Sequence, residues 1–215
     1  GTSTPIEIIS TQPWTAHALV ADQYHKDRIF LVGDAAHLFT PTGGFGMNTG
    51  VSDAIDLAWK VQAMLEGWGG KKLLESYFSE RHPVGVRNTA EAADCFDRLN
   101  SVMKYGDELD EEGSKGRAFR EKLGVELKEQ EKLISSSGTL LGYRYEGSPI
   151  VIPDGTEEPA DDPRTYVSIA RPGHRAPHIW LEEGVSLFDK LGPGFNLLIF
   201  GVMEASMEPM HEAAK

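Results

Sequence analysis

Cysteine is almost absent from this chain. Cys95 is the single residue of its kind, so neither an internal disulfide nor a cysteine-built metal cluster can form within it. Basic charge is also scarce: 21 Lys and Arg stand against 33 Asp and Glu, a net charge of −12. With no basic stripe, nucleic acid and anionic membrane are poor partners. No apolar run approaches the ~20 residues a membrane span needs, and no secretory signal precedes the first strand-like run. Cytoplasmic residence is the expectation these absences leave. What is present, 215 residues with 40% hydrophobic and 25% charged, suits one large or two small globular domains with real cores.

The informative stretch is Arg28 to Gly50, RIFLVGDAAHLFTPTGGFGMNTG. Ile29 to Val32 is a short β-branched apolar run, which predicts a strand buried on both faces of an α/β sheet. Gly33-Asp34 follows at its carboxyl edge, where open α/β sheets bind ligands. A carboxylate there either accepts hydrogen bonds from a hydroxylated ligand or caps the turn that follows. Beyond Ala35-Ala36-His37, the glycines of Pro41 to Gly50 let backbone approach a ligand closely. A helix is predicted from Asn48 to about Glu66, its positive end facing whatever sits over the loop. The loop misses the dinucleotide fingerprint, because Thr49 stands where the third glycine belongs. The P-loop pattern fails at Gly70-Lys71, where Leu65 and Lys72 are the wrong residues.

The ordered run GDAAHLFTPTGGFGMNTGVSDAIDLAWK resembles the second flavin-binding motif of the FAD-dependent aromatic hydroxylases, the single-component flavoprotein monooxygenases of the phenol and polyketide hydroxylase type. The resemblance implies that Asp34 bonds the ribityl chain of FAD and that Pro41, Gly43, Gly44 and Gly46 pass beside the isoalloxazine ring. Backbone at Met47 and Asn48 would meet the pyrimidine edge. It implies an α/β fold in three parts: residues 1–27 end the substrate domain, 28–137 form the C-terminal part of the FAD-binding domain with its helices, and 138–215 begin a thioredoxin-like domain. The implied reaction is hydroxylation of a phenolic or polyketide-like aromatic by O2, with NAD(P)H as co-substrate. The family's N-terminal βαβ unit is not in this sequence, so the expectation is a fragment that associates with that missing part or with copies of itself. Two rivals remain open: a flavin oxidoreductase of the same fold with other chemistry, and a non-catalytic interaction module.

The flanking residues are read for support. Ile6 to Ser10 and Trp14 to Val20 are strand-compatible, and Trp14 belongs either near the active site or, more commonly for a large aromatic, in a core. Along the first helix, Val51, Ile55, Ala58, Gln62 and Leu65 form one row and Ala54, Leu57, Val61 and Met64 a neighbouring one, a broad apolar surface, while Asp53, Asp56 and Lys60 mark the wet side. Lys71 to His82 and Val84 to Tyr105 are helical, with Pro83 expected to kink or interrupt them. Cys95 reads as core filler rather than nucleophile, since Asp94 and Asp97 offset Arg98. Lys115 to Leu133 is a charged amphipathic helix. Strands are expected within Leu140 to Ile152, at Tyr166 to Ile169 and at Phe195 to Phe200. The run LGYRYEGSPIV…RPGHRAPHIWL…GPGFNLLIFG looks like the opening of the thioredoxin-like domain of the phenol hydroxylase branch, without a Cys-x-x-Cys. Pro177 between His174 and His178 argues against a helical metal pair. His211-Glu212 lacks the second histidine of a zinc protease motif, since Lys215 holds that place.

Overall fold

A computed structural model describes residues 5–103, 106–129 and 135–199. Its contacts divide the chain into two units, Gly1–Ala176 and Pro177–Lys215.

In the first unit, β1 (Leu19–Val20) pairs antiparallel with β4 (His37–Leu38), and β2 (His25–Lys26) with β3 (Ile29–Phe30). The second pair is a hairpin whose turn places Asp27 at φ 55, a left-handed conformation that Asp tolerates better than most residues. The strand expected over 29–32 is thereby corrected. Its ladder covers Ile29 and Phe30 alone, runs antiparallel, and leaves Ile29 71% exposed. A parallel neighbour needs a crossover of a dozen or more residues; among the described residues none arrives, whereas His25–Lys26 is one turn away.

A short 3-10 turn, Gly33–Ala35, follows, then β4, then the loop into α1 (Phe45–Glu66). That helix starts three residues earlier than expected. Gly44 caps it in the left-handed conformation, φ 67, and the reversal drops the Phe45 ring against Ala92 and Cys95. Cys95 is 1% exposed, as its core reading requires. At the other end Gly67, φ 85, closes α1, with the Gly69 N–H returning to the Ala63 carbonyl at 2.9 Å.

α2 (Lys71–Val102) passes through Pro83 without interruption. Proline removes one backbone donor there, and the surrounding turns keep theirs. A second core, Tyr24 with Ala36 and Tyr77, gathers Val20 and Phe30 from the strands, Leu57 from α1 and Phe78 from α2.

Of the apolar rows expected on α1, the second brings Leu57 against the Tyr24–Tyr77 core, but the first row and the charged side are exchanged. Asp53, Asp56 and Lys60, taken as the wet side, are 0%, 7% and 0% exposed; Val51, Ile55 and Leu65 are 53%, 65% and 83% exposed. Charge can turn inward when every ion finds a partner, and each does. Lys60 Nζ donates to Asp56 at 2.6 Å and also to Glu80, while Asp53 is met by His37 and Arg81.

α3 (Gly113–Glu129) follows, then α4 (Ser137–Leu141). The segment up to Ala176 is turns and irregular backbone, where strands over 140–152 and 166–169 were expected. Arginines replace the ladder bonds. Arg87 forks onto Asp161 at 2.7 and 2.8 Å and reaches the Thr139 and Gly138 carbonyls at 3.1 and 3.0 Å; Arg144 pairs with Glu158 and donates to the Pro159 carbonyl at 2.6 Å.

The second unit contains β5 (Trp180–Glu182) paired with β6 (Val185–Ser186), then α5 (Leu187–Lys190), whose start is closed by a reciprocal Ser186–Asp189 capping box. Residues 195–199 form no strand, and Phe195 is 78% exposed. Phe200, the helix expected from Met203 and the His211-Glu212 pair lie outside the described residues.

Candidate functional site

The turn Gly33–Ala35 presents Asp34 to solvent directly beside α1. It lies that close because Gly33, at φ 58, and Gly50 both lack a Cβ; a methyl built on Gly33 would be 3.6 Å from the Gly50 Cα. Asp53 holds the turn from beneath. Its carboxylate accepts from His37 Nε2 at 2.6 Å, from Arg81 Nε at 2.7 Å and from the Gly33 N–H at 3.4 Å.

The loop between β4 and α1 is held separately. Thr42 Oγ1 donates to the Ala92 carbonyl at 2.7 Å, and Asn48 Nδ2 donates back to the Gly44 carbonyl at 2.8 Å. Gly43, at φ 76, makes room for the Phe45 ring, whose Cε2 would be 2.2 Å from a Cβ there. The first turn of α1 carries no acidic residue, and Gly44 offers no side-chain cap. Its leading N–H groups and the positive end of its dipole therefore seek an acceptor outside the helix.

Asp34, Pro41, Gly44, Gly46 and Met47 line one cleft of about 420 Å3. Gly43 and Asn48 are not on its wall; they hold the loop that is. Trp14 and His17 complete the cleft, and Trp14 is 69% exposed, so the core reading of that indole gives way to the pocket one. The cleft falls within the ordinary size of small-molecule sites. A carboxylate that can accept from hydroxyl groups, a bare helix N-terminus that can donate to an electron-rich edge and glycine backbone that can lie against a flat ring together fit FAD's ribityl and isoalloxazine half.

His37, Asp53 and Arg81 were not singled out from sequence as site residues. The signal was present: acids and a lysine at 53, 56 and 60 share one helix face, and Glu80-Arg81 supplies the matching charges inside the next helix.

A family model described as an FAD binding domain matches residues 2–92. The chain is 34% identical over 200 residues to the FAD-dependent monooxygenase opdD of Penicillium oxalicum, covering 90% of this chain and 38% of that protein. It is 36% identical over 219 residues to the 4-methyl-5-nitrocatechol 5-monooxygenase of Burkholderia sp, covering 98% and 35%. Among solved structures it superposes on the flavin-dependent monooxygenase PieE, in complex with FAD and substrate, with a TM-score of 0.74 and 35% identity over 84% of this chain and 34% of that one. It thus spans little more than a third of the length of the relatives it matches. Motif, cleft and likeness agree: residues 2–92 belong to an FAD binding domain, and the chain is similar over nearly its whole length to part of the FAD-dependent monooxygenases.

Proposed function

We propose that this chain is the C-terminal portion of an FAD- and NAD(P)H-dependent monooxygenase that hydroxylates a phenolic or polyketide-like aromatic. The observation that carries the reading is the convergence of Asp34 and the uncapped N-terminus of α1 on one cleft. The carboxylate of Asp34 would accept from ribityl hydroxyls. The loop from Pro41 through Gly43, Gly44 and Gly46 would lie along the ring, and backbone at Met47 and Asn48 would donate to its electron-rich edge. When bound and reduced, FAD supplies the oxygen-transfer chemistry with O2; these residues bind it, orient it and help exclude water.

The exposed stripe Val51, Ile55 and Leu65 is the surface on which the rest of the flavin domain would dock, since a helix hydrophobic on one face buries that face in a complete domain. Residues 138–215 would begin a thioredoxin-like domain without redox cysteines, as the resemblance implies. No helix among the described residues is long and apolar enough to cross a membrane, in keeping with cytoplasmic residence.

The test is product analysis. The purified full-length protein, given FAD, NADH or NADPH, O2 and a panel of phenols and aromatic polyketides, should consume the reduced nicotinamide and yield a product one oxygen atom heavier. Flavin reduction with dehydrogenated or epoxidised products would favour the same-fold oxidoreductase, and a full-length protein with no flavin absorbance would favour the interaction module.

A further inference from the structure

We infer that Asp53 is a positioning residue of the flavin site, acting through the turn that carries Asp34; the inference rests on the flavin reading above. The Asp53 carboxylate is fully buried and ties together three separate elements. Oδ2 accepts from His37 Nε2 at 2.6 Å and, more weakly, from the Gly33 N–H at 3.4 Å, and Oδ1 accepts from Arg81 Nε at 2.7 Å. Gly33 directly precedes Asp34, His37 opens the strand that feeds the loop, and Arg81 belongs to α2. Arg81 also reaches the Thr49 carbonyl in the opening turns of α1 at 3.4 Å, and the Tyr145 hydroxyl at 3.2 Å.

Stability alone is a poor reason for such a centre. Exchanging a buried ion pair for apolar side chains of like volume is often neutral or stabilising. Hydrogen bonds to a charged group supply what apolar contact does not, a fixed direction. Here the direction fixed is that of the turn, and with it the aim of the Asp34 carboxylate at the cleft.

Asp56, one turn further along the same helix, is the built-in control. It too is buried, but its hydrogen bond goes to Lys60, whose other partner is Glu80 of α2. The two carboxylates share burial and ion pairing, and differ in that Asp53 bonds the flavin turn.

The experiment measures FAD dissociation constants by flavin fluorescence, with thermal midpoints alongside, for full-length Asp34→Ala, Asp53→Asn, the double variant and Asp56→Asn. Loss of the carboxylate that orients a metal ligand costs about tenfold or more in metal affinity, and a loss of about that size in FAD affinity is the expectation for Asp53→Asn. The double variant should bind no more weakly than Asp34→Ala alone, because Asp53 acts through Asp34. Asp56→Asn should leave FAD affinity unchanged. His37→Leu, which keeps Arg81 on Asp53 and deletes one anchor of the turn, is measured in parallel and should also weaken FAD if Asp53→Asn does not fold. Wild-type affinity in Asp53→Asn or in folded His37→Leu, equal losses in Asp53→Asn and Asp56→Asn, or additive losses in the double variant would each overturn the inference. Wild-type affinity in Asp34→Ala would remove the flavin reading itself, and this inference with it.

Discussion

Gly33 and Gly50 meet back to back: a methyl group built on Gly50 would lie 3.2 Å from the Gly33 Cα. Alanine is ordinarily better than glycine inside a helix by ~1 kcal/mol, so Gly50→Ala should hold or raise the thermal midpoint of the full-length protein. The added methyl pushes the turn outward by a few tenths of an ångström and should weaken FAD binding. Calorimetry and fluorescence titration on one preparation read both effects. Unaltered FAD affinity would show that the turn and the helix are not coupled.

Tyr24 and Gly85 form a second close pair. The Tyr24 hydroxyl is buried with no hydrogen-bond partner among the described residues, and a Cβ on Gly85 would come 2.1 Å from it, against 3.4 Å from Cζ. Gly85→Ala should therefore cost about 1–3 kcal/mol by overpacking. Tyr24→Phe alone should be close to neutral, since it breaks no hydrogen bond. Combining the two should recover most of the loss, because removing the hydroxyl opens the space the methyl needs. Urea unfolding of the four proteins gives the coupling, and simple additivity would contradict the packing described.

The inverted faces of α1 make opposite predictions for two substitutions. Lys60→Met strands Asp56 and Glu80 in the interior and should cost about 3–5 kcal/mol. Ile55→Ser should cost no more than ~0.5 kcal/mol in the 215-residue chain, as an exposed change. In the full-length protein the same change should cost about 1.5–3 kcal/mol, if the stripe is covered as proposed. Chemical unfolding of both lengths decides it, and an equally small effect in each would remove the docking surface.

Two carboxylates set stability on opposite sides of pH. Arg87 bonded to Asp161 holds that carboxyl below its ordinary value of 3.8. Its contribution is present above that value and is lost as pH falls through the lower folded one. Burial pushes Asp56 above 3.8, against the pull of Lys60. Its protonated form is thus favoured by folding, and stability is lost as pH rises from 3.8 through its folded value. Thermal midpoints across acidic pH should show Asp161→Asn flattening the low-pH fall and Asp56→Asn flattening the loss on the rising side. Identical profiles for the two variants would contradict these assignments.

The loop was legible in the sequence because its cues are local. Glycines at 43, 44 and 46 beside Asp34 announce close backbone approach and a carboxylate, and the structure brings Asp34, Gly44 and Gly46 to one cleft. The helix ends were legible for the same reason at Gly67. Hydrophobic period alone could not orient α1, since that rule assumes water on the charged side, and the partners from other elements that meet Asp53 and Lys60 lie 16 to 28 residues away in His37, Glu80 and Arg81. The Ile29 to Val32 run failed in a different way. An apolar β-branched stretch fixes a preference for extended backbone, but which neighbour it pairs with depends on strands elsewhere.

The central claim is that Asp34 and the N-terminus of α1 form the grip on the flavin. Its most direct test is the FAD dissociation constant of the full-length protein, wild type against Asp34→Ala, by fluorescence titration after removal of bound flavin. A charge-assisted hydrogen bond is worth roughly 1.5–3 kcal/mol, so the variant should fold and bind FAD about one to two orders of magnitude more weakly. A folded Asp34→Ala protein that retains FAD as tightly as wild type would contradict the account.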